Sequence, residues 1–194
     1  MVKGNDTKRA ILHKGLEMAS HLSLESLTIG LLAKEMNISK SGLFAHFKSK
    51  ENLQLEILDY AAQHFTRGVI LPALKAERGI PRIRVLVENW IKWGSKFKGG
   101  CIFVTATTEF NDRPGKIQDK LFDQQKQWLY VLKKIGETAI KAGDIKPETD
   151  CDQFAYNLYS LVLGHYYYSQ LLKDSRIVQH QEKSLNQFLK TYSI

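Results

Sequence analysis

Apolar residues recur along this chain at intervals of three and four, the spacing of helices with one buried face, and strand-like alternation is absent. Ile11, Leu12, Gly15, Leu16, Ala19 and Leu22 predict an amphipathic first helix from Thr7 to about Ser20. Thr28 suits the N-cap of a second helix that turns Ile29, Leu32, Ala33 and Met36 inward. Asn37 tolerates the left-handed backbone that ends such a helix, and Ile38 is expected to pack the turn. Ser39 then caps a third helix, from Lys40 to about Ala45, anchored by Leu43 and Phe47. Ser49 caps a fourth, with Glu51 placed against its positive N-terminal dipole and Leu53, Ile57, Leu58 and Ala61 on its apolar face.

The remainder stays helical. Gly79 and Pro81 open a fifth helix carrying Ile83, Leu86, Val87, Trp90, Ile91 and Trp93 toward Phe97, and Gly99-Gly100 breaks it. A short sixth helix is expected from Cys101 to Phe110. Pro114 opens a seventh toward Ala142, with Ile117, Leu121, Trp128, Val131, Leu132, Ile135 and Ala139 as its buried stripe. Gly143 stops it, Thr149-Asp150 begins an eighth running to about Lys173, and Ile177 to Tyr192 make a ninth. The predicted fold is therefore all-α with about nine helices. The predicted division is a three-helix N-terminal domain at 1–50 and a larger helical domain at 51–194. With 194 residues the chain can bury roughly 70% of its unfolded surface.

Charge changes this picture locally. The net charge of +8 is distributed against intuition: residues 1–60 hold 8 Lys+Arg and 7 Asp+Glu (+1), residues 61–194 hold 20 and 13 (+7). Yet from Asn37 to Lys50 there are three lysines, a histidine and no acid. A helix pair around a tight turn, followed by acid-free basic and small polar residues, is what a DNA-binding helix–turn–helix requires. Its second helix must lie against phosphates while its first residues reach base edges.

Ser39-Lys40-Ser41-Gly42-Leu43-Phe44-Ala45-His46-Phe47-Lys48-Ser49-Lys50-Glu51-Asn52-Leu53 resembles the signature of the TetR family of bacterial transcriptional regulators, and the likeness runs from Thr7 to Ala61. Phe44 stands where that pattern has Tyr, so the ring is kept and the hydroxyl lost; Gly42 sits one place after the usual glycine. The segment Gly99–Gly115 is similar to one found in a subset of TetR-like ligand domains. The resemblance implies a homodimeric regulator of double-stranded operator DNA, a repressor released by a small apolar or amphipathic effector. Lys40 is the expected base reader, bidentate to guanine. Ser39 and Ser41 touch bases or phosphates, and Thr28, Phe44, His46, Lys48 and Lys50 belong to the same surface, mostly as backbone contacts.

The family's pocket lies among its middle helices, which points to Asn89, Trp90, Trp93, Phe103, Thr105, Glu109, Phe110 and Trp128 as effector contacts, with Phe97 and Phe122 as further aromatic lining and Thr108 as a further polar point. Its last two helices pair in a dimer. Here they carry Phe154, Leu158, Leu161, Val162, Leu185, Phe188 and Leu189, more apolar surface than a terminal pair on a lone domain needs.

Other chemistry is thinly supported. Motifs for nucleotide binding, metalloproteolysis or a nucleophile elbow are absent, and the six histidines do not pair at metal-ligand spacing, so neither an enzyme, a metal site nor a cofactor is expected. Cys101 and Cys151 form no CxxC pattern, the first residues lack an apolar signal segment, and Asn157, His165 and Gln170 interrupt the most apolar stretch. A cytoplasmic protein without membrane contact is the expectation. Two alternatives stay open: a thiol sensor acting through Cys101 at a helix N-terminus, and an architectural DNA-binding protein with no effector.

Overall fold

A computed structural model of the chain describes residues 2–172 and 174–194. Among them the fold is all-α: α1 (Val2–Leu22), α2 (Ile29–Glu35), α3 (Lys40–Phe47), α4 (Lys50–Phe65), a π-helical turn (Thr66–Ile70), α5 (Leu71–Lys75), α6 (Ile80–Ser95), α7 (Ile102–Phe110), α8 (Lys116–Lys141), α9 (Cys151–Leu172) and α10 (Ile177–Tyr192). The only extended pairing among the described residues is an isolated bridge between Ile145 and Ser193. Nine of these helices are the expected nine. The additional one, α5, arises because α4 does not stop but passes through a π-turn and resumes; no periodicity in the sequence separates that case from one long helix. The end expected at Lys173 lies outside the described residues.

The helices gather into two compact units. One takes the chain up to Phe65 together with Ser95–Gln125, and the other takes Thr66–Gly94 with Lys126–Ile194. The expected helix–turn–helix segment, 1–50, lies wholly in the first.

In the first unit the local signals act as anticipated. The Thr28 hydroxyl accepts the Leu31 N–H (3.1 Å), Ser39 accepts that of Gly42 (3.1 Å), and Ser49 accepts that of Asn52 (3.1 Å). Asn37 takes the left-handed conformation (φ 52°) at the end of α2. Ile11, Leu16, Leu32, Leu43, Phe47, Leu53, Ile57 and Leu58 are buried and form the core. Ile38 is the exception, 39% exposed rather than packed into the turn. The turn is closed by backbone instead: the Ile38 N–H reaches the Ala33 carbonyl at 3.0 Å, so its side chain is not needed inside.

α7 packs on α1, and the approach is as close as backbone allows: a Cβ on Gly99 would stand 1.4 Å from the Ser20 carbonyl oxygen. Gln54 spans the same unit from α4, its buried amide donating to the Leu24 carbonyl at 2.8 Å.

The second unit packs α6, the second half of α8, α9 and α10. Its centre is a cluster of rings, Phe154 against Phe188 (5.2 Å), Phe154 against Tyr192 (5.2 Å) and Phe188 against Tyr192 (5.0 Å). Gly136 admits Phe154, since a Cβ there would lie 2.9 Å from its ring. Asp144 accepts the Ile80 N–H (2.8 Å) and so fixes the start of α6 from the far end of α8.

Candidate nucleic-acid interface

α3 is short and two-faced. Leu43 and Phe47 are buried at 0% and 1% exposure, which leaves Lys40, Ser41, Phe44, Ala45, His46 and Lys48 on one continuous outer face. Phe44 is 51% exposed, an unusual place for an aromatic ring unless something covers it. The Thr28 and Ser39 hydroxyls use an oxygen lone pair on their caps and keep their protons for an incoming acceptor. Lys48, in the left-handed region at φ 65°, makes the sharp exit from α3; for a residue with a Cβ that conformation is costly and tends to persist at working sites.

The lysines differ in what they already touch. Lys40 and Lys48 make no ion pair among the described residues, whereas Lys50, half-buried at the first turn of α4, is paired with Glu25 at 3.0 Å. Lys40 extends along the start of α2, its Cε 3.8 Å from where a Cβ on Gly30 would stand. The outer face of α3 therefore presents cations, hydroxyls and one bare ring, with no carboxylate among them.

The residues expected to hold an effector fall into both units. In the first, the Phe103 ring meets Phe65 edge-on at 5.8 Å, and the Thr105 hydroxyl donates back to helix carbonyls. Phe110 lies under the Arg113 guanidinium (5.7 Å), and the Glu109 carboxylate accepts the Glu25 N–H at 2.9 Å. In the second, Trp90 packs edge-on against Trp128 (4.8 Å) and beside Tyr159 (5.8 Å), and Trp93 is buried. The Asn89 side-chain nitrogen is buried there with no hydrogen-bond partner among the described residues, as is Nδ1 of His165, a ring that burial holds toward its neutral form. Phe122 departs from expectation at 65% exposed: on α8 the stripe through Ile117, Leu121 and Trp128 faces inward and Phe122 points away from it.

Residues 11–57 match the family model for bacterial regulatory proteins of the tetR family, and residues 79–185 match that for the tetracyclin repressor-like C-terminal domain. The chain belongs to the TetR family. No curated protein matches it. A TetR transcriptional regulator from Chloroflexus aurantiacus has the same fold at a TM-score of 0.88 and 19% identity, covering 100% of this chain and 98% of that one. A regulator from Saccharomonospora viridis, solved with choline, superposes at 0.81 with 23% identity over 96% of both chains. AibR, solved with isovaleryl coenzyme A and operator DNA, superposes at 0.72 with 19% identity over 95% and 97%. This chain is accordingly a DNA-binding transcriptional regulator of TetR type.

The TetR-type terminal helices look different from their sequence pattern. Phe154, Leu158, Val162, Leu185, Phe188 and Leu189 are buried inside the protomer itself, and Leu161 is half-buried. The apolar side chains left outside are Tyr156 (64% exposed), Tyr167, Leu171 and Leu172 on α9 and Val178 on α10. The two thiols are unpromising nucleophiles: Cys101 is buried, and Cys151 has its thiol pushed up by burial and by the nearby Glu137 carboxylate. Sequence reasoning overlooked Glu25, which the fold brings to Lys50, Arg113, which it brings to Glu25, and Tyr159, which the ring packing joins to Trp90. No local pattern marks any of them. Among the described residues no helix is long and apolar enough to cross a membrane.

Proposed function

We propose that this TetR-family regulator is a cytoplasmic homodimeric repressor that leaves a palindromic operator when a small apolar or amphipathic ligand binds. The DNA-reading part is the helix–turn–helix within residues 1–50, and effector binding and dimerisation belong to residues 51–194. The observation that carries the reading is the outer face of α3, exposed, capped and free of carboxylates over Asn37–Lys50. Lys40 reads guanine, Ser39, Ser41 and Phe44 lie at the groove, and Thr28, His46, Lys48 and Lys50 hold the backbone.

Two such helices in a dimer address half-sites about one helical turn apart, roughly 34–36 Å. A ligand that fits only the conformer with another spacing lowers operator affinity by differential binding. In the second unit, the aromatic surface of Trp90, Trp93 and Trp128, with the buried polar atoms of Asn89 and His165 in the same unit, supports an effector of mixed character. The small molecules bound by the Saccharomonospora regulator and by AibR favour a metabolite-sized one.

For the dimer we assign the outer stripe of α9. Tyr156, Tyr167 and Leu171 share one face there, with the small residues Ser160 and Gly164 between them, and Val178 of α10 is apolar and exposed as well.

The deciding experiment selects operator sequences from random duplexes and repeats the selection with two variants. Lys40→Ala should cost about 1–3 kcal/mol and relax preference at one base position. Lys50→Ala should weaken all sequences alike. A wild-type protein that enriches no sequence would overturn the operator reading. A Lys40→Ala variant that keeps the full preference would move base reading to another side chain.

A further inference from the structure

Lys50 occupies the first turn of α4, where a helix N-terminus and a lysine together attract phosphate. The structure shows that this lysine already has an anion. Glu25, on the loop between α1 and α2, places one carboxylate oxygen 3.0 Å from the Lys50 Nζ. The carboxylate is held from behind by the segment around α7. The Glu25 backbone N–H donates to the Glu109 carboxylate at 2.9 Å, and the Arg113 guanidinium lies 3.9 Å from the second Glu25 oxygen. One acid is thus shared by two cations, the nearer of them facing the DNA-contacting surface.

We infer that Glu25 competes with DNA phosphate for Lys50, and that Arg113 sets the strength of this competition by neutralising Glu25 once Lys50 departs; the inference rests on the helix–turn–helix reading of the DNA contact. On binding, the Lys50–Glu25 pair is exchanged for a Lys50–phosphate pair. The exchange is close to balanced, because both are partly exposed ion pairs in high dielectric. Its cost depends on what remains beside Glu25. With Arg113 present the acid keeps a counter-charge; without it the acid retains Lys50 more firmly. Because Glu109 and Arg113 both come from the α7 segment, a shift of that segment alters how readily Lys50 is given up, which connects α7 to DNA affinity without moving the recognition helix.

The two acid–base partners make opposite predictions, which a merely structural role would not. The probe is a labelled mixed-sequence duplex, followed by fluorescence anisotropy between about 50 and 200 mM salt. Glu25→Gln should tighten binding by roughly two- to five-fold at low salt. It should also steepen the dependence of log affinity on log salt by part of the roughly 0.9 that one fully neutralised phosphate contributes, since wild-type Lys50 already makes that contact in a fraction of complexes. Glu25→Asp, which keeps the charge but withdraws it by one methylene, should move both readouts in the same direction by less. Arg113→Met should do the reverse, weakening binding and flattening the slope. Adding Lys50→Ala to Glu25→Gln should erase the gain.

Thermal melting by circular dichroism establishes that each variant is folded. Glu25→Gln and Glu25→Asp proteins that are folded yet bind no more tightly, at an unchanged slope, would overturn the inference. So would Arg113→Met moving in the same direction as Glu25→Gln. A wild-type protein that fails to bind the duplex even at the lowest salt would instead overturn the DNA reading on which it rests.

Discussion

At Gly99 one methyl group has no room. The Cβ of an alanine there would stand 1.4 Å from the Ser20 carbonyl oxygen and 2.4 Å from its carbon, both backbone atoms that cannot swing aside. Gly143 is the opposite case: its surroundings are open, but its φ of +82° disfavours any residue with a Cβ. Gly99→Ala should therefore cost about 3 kcal/mol or more by prying α7 from α1, and Gly143→Ala only about 1 kcal/mol. Thermal and urea denaturation of the two variants distinguish a steric penalty from a conformational one; equal losses would show that the α1–α7 approach is soft.

The same scale explains what could be read in advance. The caps at Thr28, Ser39 and Ser49 and the left-handed Asn37 act on neighbours three residues away or fewer, so their chemistry is visible in the string of letters. The Lys50–Glu25 pair and the Glu109–Glu25 hydrogen bond join residues 25 and 84 positions apart, and nothing local announces them.

Among elements, α9 and α10 carry the sharpest lesson. Periodicity finds an apolar face but does not name what covers it. Phe154, Leu158, Phe188 and Leu189 were the obvious interface by composition, yet their own protomer buries them, with Phe188 against Phe154 and Tyr192. Burying an unpaired charge at Phe188 would unfold the unit rather than divide a dimer. Tyr167→Glu with Leu171→Glu changes only exposed positions. It should leave the melting temperature of the protomer within a few degrees, shift the mass by light scattering from dimer to monomer, and abolish operator binding although α3 is untouched. A folded double variant that stays dimeric would place the interface on another face. Helix positions were otherwise legible to within a few residues, because Gly79, Gly99-Gly100 and Gly143 end segments by themselves. The π-turn after α4 was not, since the one-residue shift it puts into the apolar spacing over a single turn is too brief for periodicity to register.

For the molecule as a whole, the chain passes between its two compact units three times, at Phe65–Thr66, Gly94–Ser95 and Gln125–Lys126. The first unit is not a leading segment, since it includes α7 and the start of α8 from far along the chain. Lys116 pairs with Glu51 (3.3 Å), Lys120 with Asp59 (2.8 Å), and the Gln124 amide donates to the Leu58 carbonyl (3.2 Å), all onto α4. A fragment ending at Phe65 keeps every proposed DNA contact but loses α7 from the surface of α1. It should show helical signal without a cooperative melt, and bind duplex weakly; a fragment that melts cooperatively would mean that α1–α4 stand alone.

That threading also bears on descent. A DNA-reading head that could be cut out as one continuous piece could be traded between genes by a single crossover. Here a crossover near residue 50 or 65 would give a head whose α1 and α4 meet a stranger's α7, with Gly99, Glu109 and Lys120 replaced at once. Such a crossover would therefore break, in one step, the α1–α7 approach and the α4–α8 ion pairs that hold the first unit together, and the hybrid should melt lower than either parent.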